Sequence, residues 1–374
     1  MSKQGGYMNH ISELIDILNE TFRWNKARIT LFALMLISLI TTRTVNLSKI
    51  ACSIASNAEQ KSRYRRIQRF FANFNIDFDM IALFIFKMFF ISSNKLYLTM
   101  DRTNWMWGES HINILTLAVV FKGIAIPVYW ELLDNKCGNS KTEHRIKIVQ
   151  KFIAKFGKDR IAGLLADREF IGHDWFNWLI KNEIPFVIRL KNNLLTTNSR
   201  GKIIPVKDLF RGLKPTEERI LYCKRIIMRQ SVFVSGIKLF NGDVMIVATS
   251  MPPGFAIKTY ALRWEIETLF SCLKERGFNF EDTHVINKQR IKKLFALLAI
   301  AFCWAHKTGE WRHEEQKKIK IKTHGRPEVS IFRYGLDYIC DVLVNFFFKA
   351  DKFKFCLDGI RTTKGSLHLL ECSS

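Results

Sequence analysis

Two aspartates each follow a short apolar run: Asp101 after LYLTM and Asp167 after AGLLA. Such runs read as strands, and strand ends in an α/β sheet are where ligands and reacting groups gather. A carboxylate at the edge of a core is costly unless a partner or a metal neutralises it. A third acid lies in the segment Thr259–Arg276, TYALRWEIETLFSCLKER, which has helical periodicity. With Tyr260 as the zero of rotation and about 100° per residue, Arg263 falls at about −60°, Glu267 at about −20° and Lys274 at about −40°, while Glu265 comes out near 140°. One face therefore carries an aromatic, a cation, a carboxylate and a second cation. A solvated ion pair between Arg263 and Glu267, four residues apart, accounts for part of that face. It does not account for Tyr260 and Lys274. Three converging carboxylates can hold two divalent ions, since Mg²⁺ prefers oxygen ligands and keeps positions open for water and phosphate oxygens. Two such ions activate a nucleophile and stabilise a leaving oxygen, and cations beside them grip phosphates.

The rest of the composition fits a polyanionic substrate. The chain has 374 residues, and Lys+Arg 58 against Asp+Glu 34 leaves a formal charge of +24. Nucleic acid is the leading partner for such an excess, and an anionic membrane the second. The apolar runs Ile29–Ile40, Met80–Ile91 and Leu294–Ala305 are each too short to span a bilayer, which needs about 18–20 residues, so core helices and no membrane are expected. Residues 1–20 are polar, and no secretory signal is expected. The cysteines (Cys52, Cys137, Cys223, Cys272, Cys303, Cys340, Cys356 and Cys372) are scattered without metal-ligand spacing, which reads as idle or buried thiols in a reducing cytoplasm. A mainly disordered chain is excluded by 48% hydrophobic content.

The elements that must position the acids change character along the chain. Residues 1–92 read as helical. Between Arg43 and Arg69 there are seven Lys/Arg and one acid, Glu59. A helix over Asn46–Ile54, a break at Ala55–Gln60 and a second helix from Ser62 carrying Arg63, Arg65, Arg66 and Arg69 suit a helix-turn-helix DNA reader. Ile112–Phe121 and Ile124–Trp130 form an expected hairpin about Lys122–Gly123, with Pro127 marking a sheet edge or bulge. A helix is expected from Ser140, capped by Glu143, to Phe156, then a strand to Ala166, a helix over Gly172–Asn182 and a strand over Pro185–Leu190. This alternation implies a mixed α/β sheet with packed helices. Residues 191–250 read as a β-rich insertion, with a run over Arg225–Phe240 and an Asn241-Gly242 hairpin turn. One long helix is expected after Pro252-Pro253-Gly254, then helices at Ile291–Lys307 and Ser330–Phe347, with Arg312–Arg326 loop-like between them. The expected divisions are 1–92 helical and DNA-binding, 93–190 first part of the core, 191–252 insertion, 253–310 second part with the catalytic helix, and 311–374 C-terminal and helical.

Tyr260-x2-Arg263-x3-Glu267-x6-Lys274 resembles the Y-R-E-K signature of cut-and-paste DDE transposases of bacterial insertion-sequence family four. Asp101 in LTMDRTNW and Asp167 in LLADREFIG are similar to that family's two catalytic aspartates. The resemblance covers about residues 45–340. It implies an RNase H-like core with Asp101, Asp167 and Glu267 binding two Mg²⁺ (or Mn²⁺) ions. It implies cleavage at transposon ends, a hairpin intermediate and transfer of the 3′-OH to target DNA. Implied partners are double-stranded DNA (terminal inverted repeats and target) and a second copy of the chain, in a bacterial cytoplasm at the nucleoid. Tyr260, Arg263, Trp264 and Lys274 would handle phosphates and the distorted end. Relatives also stack a flipped base on a tryptophan of the insertion; residues 191–250 hold no Trp, and Tyr222, Phe233 or Phe240 are the aromatics there.

Glu169 is a competing ligand by position. Asn104 and Trp105 more plausibly shape or pack the site, and His111, His173 and His306 lack metal-ligand spacing. Two other readings share these residues: a catalytically inactive DNA-binding remnant, and an RNase H-like structure-selective nuclease.

Overall fold

The computed structural model describes residues 3–91, 95–134, 140–323 and 325–361. Cys137 and Cys372 lie outside the described residues. The chain opens with helices α1 (Lys3–Phe22), α2 (Lys26–Thr42), α3 (Leu47–Ser53), α4 (Gln60–Asn73) and α5 (Phe78–Phe89). Strands β1 (Leu96–Trp107), β2 (Ser110–Phe121) and β3 (Ile124–Leu132) follow, then α6 (Thr142–Phe156), β4 (Ile161–Ala166), α7 (His173–Lys181) and β5 (Phe186–Arg189). Next come β6 (Leu195–Thr197), β7 (Ile203–Pro205), β8 (Glu218–Ile227), β9 (Gln230–Lys238) and β10 (Val244–Thr249). The remainder is α8 (Ala256–Ala261), α9 (Glu265–Lys274), α10 (Lys288–Trp311), α11 (Ile331–Val344) and α12 (Phe346–Asp358).

These elements form two compact units, one of Met1–Ser92, Trp105–Ile112 and Phe270–Ser374, the other of Ser93–Asn104 and Asn113–Leu269. The first unit is mainly helical. Its helices begin where short polar side chains satisfy orphan backbone N–H groups: Asn25, Asn46, Asp77, Asn287 and Ser330 each accept from the first turn of the helix that follows. Helix α10 is buried along most of its length and packs on α2, α4, α5 and α11. Its approach to α11 is backbone on backbone. A Cβ at Gly309 would lie 2.0 Å from the Ile331 carbonyl oxygen, and one at Gly335 would lie 1.8 Å from that of Ala305. Among the described residues no single helix is long and apolar enough to cross a membrane.

The second unit is built on a mixed sheet in the order β3-β2-β1-β4-β5-β10-β9-β8. Strands β1, β4 and β5 run parallel, and β10 pairs antiparallel with β5. The expected mixed α/β sheet with flanking helices is therefore present. Pro127 sits on edge strand β3, beside a register shift at Leu117/Ala118, where its missing N–H does least harm. The turn between β2 and β3 places Lys122 at φ 46° and Gly123 at φ 90°, both positive.

Several local expectations need correction. β1 does not stop at Asp101 but continues to Trp107. The run over 225–240 is split by a tight turn at Met228 and Arg229, both with positive φ, and the Met228 carbonyl lies 2.8 Å from His173 Nδ1. α6 starts at Thr142 without a side-chain cap, because Ser140 Oγ instead accepts from Arg145 Nε at 2.8 Å. Within the segment read as a β-rich insertion, β10, β9 and β8 extend the main sheet.

Candidate active site

The first two acids meet because of sheet register. Parallel β1 and β4 pair Leu98↔Leu164, Thr99↔Leu165 and Met100↔Ala166. Asp101 and Asp167 are the next residue on each strand, just beyond the last paired positions. Asp167 emerges where β4 ends, whereas β1 runs on past Asp101 with Thr103 and Trp105 buried. A strand shift of one residue would turn either side chain to the opposite face.

The third acid arrives on a broken helix. Instead of one continuous helix, α8 is joined to α9 by a 3₁₀ turn at Leu262–Trp264. A tighter turn advances about 120° per residue, so the uniform 100° phase does not hold through it. Tyr260 and Arg263 nevertheless reach the aspartates. Tyr260 is anchored in a core of Leu165, Val187, Met245, Val247, Ala256 and Ile257, and its hydroxyl donates to Asp167 Oδ1 at 3.3 Å. Arg263 donates through Nη1 to Asp101 Oδ2 at 3.2 Å and through Nη2 to Glu267 Oε1 at 2.5 Å. Its guanidinium also lies 5.7 Å from the Tyr260 ring centroid. Glu267 itself is open to solvent, with 59% side-chain exposure.

Burial sets the electrostatics. The Asp101 carboxyl is pushed up to about 7, mainly by burial, with neighbouring Glu169 and Asp167 adding to the rise and the Arg102 N–H and Arg263 opposing it. Burial also raises the Tyr260 phenol well above its ordinary value, so it stays a donor.

Glu169 is held by cations. Arg102 grips it bidentately, Nε to Oε1 at 2.6 Å and Nη2 to Oε2 at 2.8 Å, and also reaches Asn113 Oδ1 at 3.2 Å. Buried Arg145 donates to the Glu169 carbonyl at 3.1 Å and lies over the Phe170 ring. These contacts tie the segment after Asp167 to the one after Asp101. Sequence reasoning missed Arg102, Arg145 and Arg189. Arg189 Nη1 stands 4.0 Å from Asp167 Oδ1 at the end of β5. A lone cation closing the apolar strand FVIR was the available signal.

Glu265 points elsewhere, as its rotation implied. Its carboxylate accepts from the Phe121 N–H at 3.0 Å and the Gly123 N–H at 3.2 Å, clamping the β2–β3 turn. Glu265→Ala is expected to cost about 2 kcal/mol of stability, read by urea unfolding, through loss of two bonds to a charged acceptor. Any cleavage activity should fall far less than for a change at Glu267.

The remaining sequence-derived residues are placed as follows. Trp264 is 52% exposed. Lys274, at the end of α9, pairs with Glu281 at 2.6 Å and lies over the Trp105 ring. Trp105 is buried against Phe280, and Asn104 is exposed. His306 is buried beside Phe302. On α4, Arg65 and Arg69 are exposed. Arg63 instead donates to the Ile54 carbonyl at 2.5 Å, and Arg66 to that of Ala27 at 3.3 Å. Arg63, Arg66 and Arg69 line a cleft of about 500 Å³ with Arg28, Leu31 and Ile54. In the sheet extension Tyr222 (72%) and Phe240 (88%) are exposed, whereas Phe233 is covered by Lys224.

Three carboxylates form a donor set suited to a hard divalent cation. Buried Asp101, crowded by two further acids, is a carboxylate that such a cation would relieve. As the side chains stand, no group of three His, Cys, Asp or Glu among the described residues is placed to hold an ion. Arg263 bridges Asp101 and Glu267 instead.

Residues 131–304 match the family model described as a transposase DDE domain. The matched segment contains Asp167, Glu267 and the Tyr260–Lys274 signature, and Asp101 lies ahead of it. A cryo-EM structure of the piggyBac transposase synaptic complex with hairpin DNA is similar to this chain at a TM-score of 0.43 and 10% identity, over 94% of this chain and 82% of that one. No curated protein gives a significant sequence match.

Proposed function

We propose that the protein is a DDE transposase of the insertion-sequence-four type, cutting DNA at the ends of a mobile element and joining them to target DNA. The observation that carries this reading is the convergence of Asp101 and Asp167 at one end of the β1–β4 ladder, with Glu267 joined to Asp101 through Arg263. The transposase DDE match over residues 131–304 supports it.

In this reading Asp101, Asp167 and Glu267 hold Mg²⁺ or Mn²⁺ as a pair of ions. When bound, divalent ions supply an activated water or 3′-OH nucleophile and stabilise the leaving oxygen. The chain's own groups do the rest. The β1–β4 register fixes two acids on a rigid sheet. The Arg102–Glu169–Arg145 contacts hold the segments that follow them. Arg189 and Arg263 present guanidiniums to phosphate oxygens. Tyr260 orients Asp167 through its hydroxyl. Exposed Trp264, Tyr222 and Phe240 offer faces on which bases of a distorted or hairpinned end stack. Two ends must be held together for joining, so a homodimer acting on double-stranded terminal repeats and target is part of the proposal.

The test is a cleavage assay on DNA bearing the element's own ends, with Mg²⁺ and with chelator. Metal-dependent cleavage, a hairpin on denaturing gels and joining to a second duplex are expected. Binding without strand breakage identifies an inactive remnant; cleavage of branched DNA without joining identifies a structure-selective nuclease. For the helical region, Arg65→Ala and Arg69→Ala should each lower the slope of log K against log salt by about 1. Arg63→Ala should act chiefly on stability, because that guanidinium is committed to the Ile54 carbonyl.

A further inference from the structure

We propose that Arg263 is a built-in counter-cation of the acid cluster, which must leave Asp101 and Glu267 before a divalent ion can be held there, and which a DNA phosphate draws away. This rests on the metal-dependent reading above and adds a device that regulates loading.

The guanidinium is the group that stands between the acids. Its side chain is 4% exposed, and it bridges a carboxylate on β1 to one on α9. A guanidinium is always charged and has a fixed fork of donors, so it binds two carboxylates at once and cannot leave by losing its proton. A divalent ion needs carboxylate oxygens at about 2.0–2.1 Å and in octahedral array, and a guanidinium held between the same two carboxylates fills the space between them and repels a second cation there.

The bridge is also incomplete. Arg263 Nε is buried with no hydrogen-bond partner, so the fork has an unsatisfied edge. Arg263 faces both Asp101 and Glu267, Arg102 also acts on Asp101, and Asp167 and Glu169 act on Asp101 in the opposite sense. A phosphodiester offers the fork a bidentate anion. Moving Arg263 onto phosphate frees both acids together, so DNA and metal should bind with positive coupling, each raising the affinity for the other by the same factor. The residue lies in the short 3₁₀ turn between α8 and α9, a junction where small changes of φ/ψ redirect a side chain.

The experiment is Mn²⁺ titration of the full-length protein without DNA, following the free-ion signal by electron paramagnetic resonance. Arg263→Gln is expected to bind Mn²⁺ at least about tenfold tighter than the wild type, and Arg263→Lys to an intermediate degree, since an ammonium is a point charge without the two-pronged fork. The gain should vanish in the double variant Asp101→Asn/Arg263→Gln. Circular dichroism and a thermal melt establish that each variant is folded; if the glutamine variant is not, the lysine variant carries the comparison. Equal Mn²⁺ affinity in wild type and Arg263 variants, together with weaker binding in Asp101→Asn, overturns the proposal and leaves the metal-site reading standing. No Mn²⁺ binding in any variant, with Asp101→Asn indistinguishable from wild type, overturns both.

Discussion

Exchange of Glu267 for glutamine, or of Asp167 for asparagine, is expected to lower strand cleavage by about 10³-fold or more while leaving fold and DNA binding in place. The reasoning is local. Glu267 is largely solvated and its one ion pair, to Arg263, is retained in part by an amide oxygen, so little packing is lost. Asp167 is neither deeply buried nor part of the apolar ladder that ends at Ala166. What both changes remove is negative charge where the proposed chemistry requires a ligand for a divalent cation. The control is Glu265, two residues away on the same helix and engaged with the β2–β3 turn. End-labelled substrate on denaturing gels, with gel shift for binding, separates the outcomes. An inactive Glu265→Gln beside an active Glu267→Gln would falsify the assignment of the helix face.

Asp101→Asn should in addition stabilise the protein in a pH-dependent manner. Its carboxyl goes from an ordinary value of 3.8 to about 7, with burial as the main cause. The folded state therefore favours the protonated form. The cost of ionising the buried group is absent below about pH 4, grows between pH 4 and 7, and is complete above that range. That rise corresponds to about 4 kcal/mol. The neutral asparagine carries no such cost. The difference in unfolding free energy between variant and wild type should thus move in the variant's favour by about 4 kcal/mol from pH 4 to pH 8. Comparing that difference at the two pH values cancels the constant loss of the Arg263 contact. Urea unfolding in the absence of divalent ions measures it; a difference that does not change with pH would mean that Asp101 is not desolvated. A site that is unfavourable to ionise without a cation is consistent with strain being kept where function needs it.

Some of the geometry follows from local sequence. Asp101 and Asp167 stand out because each directly follows an apolar run, and the structure sets them at adjacent positions beyond the β1–β4 pairing, although β1 itself continues to Trp107. The turn at Lys122–Gly123 and the edge position of Pro127 follow from backbone constraints that act within a few residues. What escaped depended on longer range. Ser140 and Glu143 have capping-box spacing, but the guanidinium of Arg145 competes for the serine hydroxyl and wins. The helix over 256–276 has unbroken periodicity, and its 3₁₀ joint leaves no mark in composition. Met228–Arg229 forms a turn without glycine, held by a histidine more than fifty residues away in the chain, so the run through it read as continuous. Arg102, Arg145 and Arg189 acquire meaning only through partners brought in by the fold; in a chain with this many basic residues, a single arginine carries almost no signal by itself.

Strands β8, β9 and β10 continue the hydrogen-bonded ladder into β5, the strand that ends at Arg189. A module hung from a flexible loop would swing without consequence for the chemistry. Here the far hairpin, pinned at its tip to His173, is woven into the same fabric as β1 and β4. A pull on that hairpin would pass as shear from rung to rung and arrive beside Asp167.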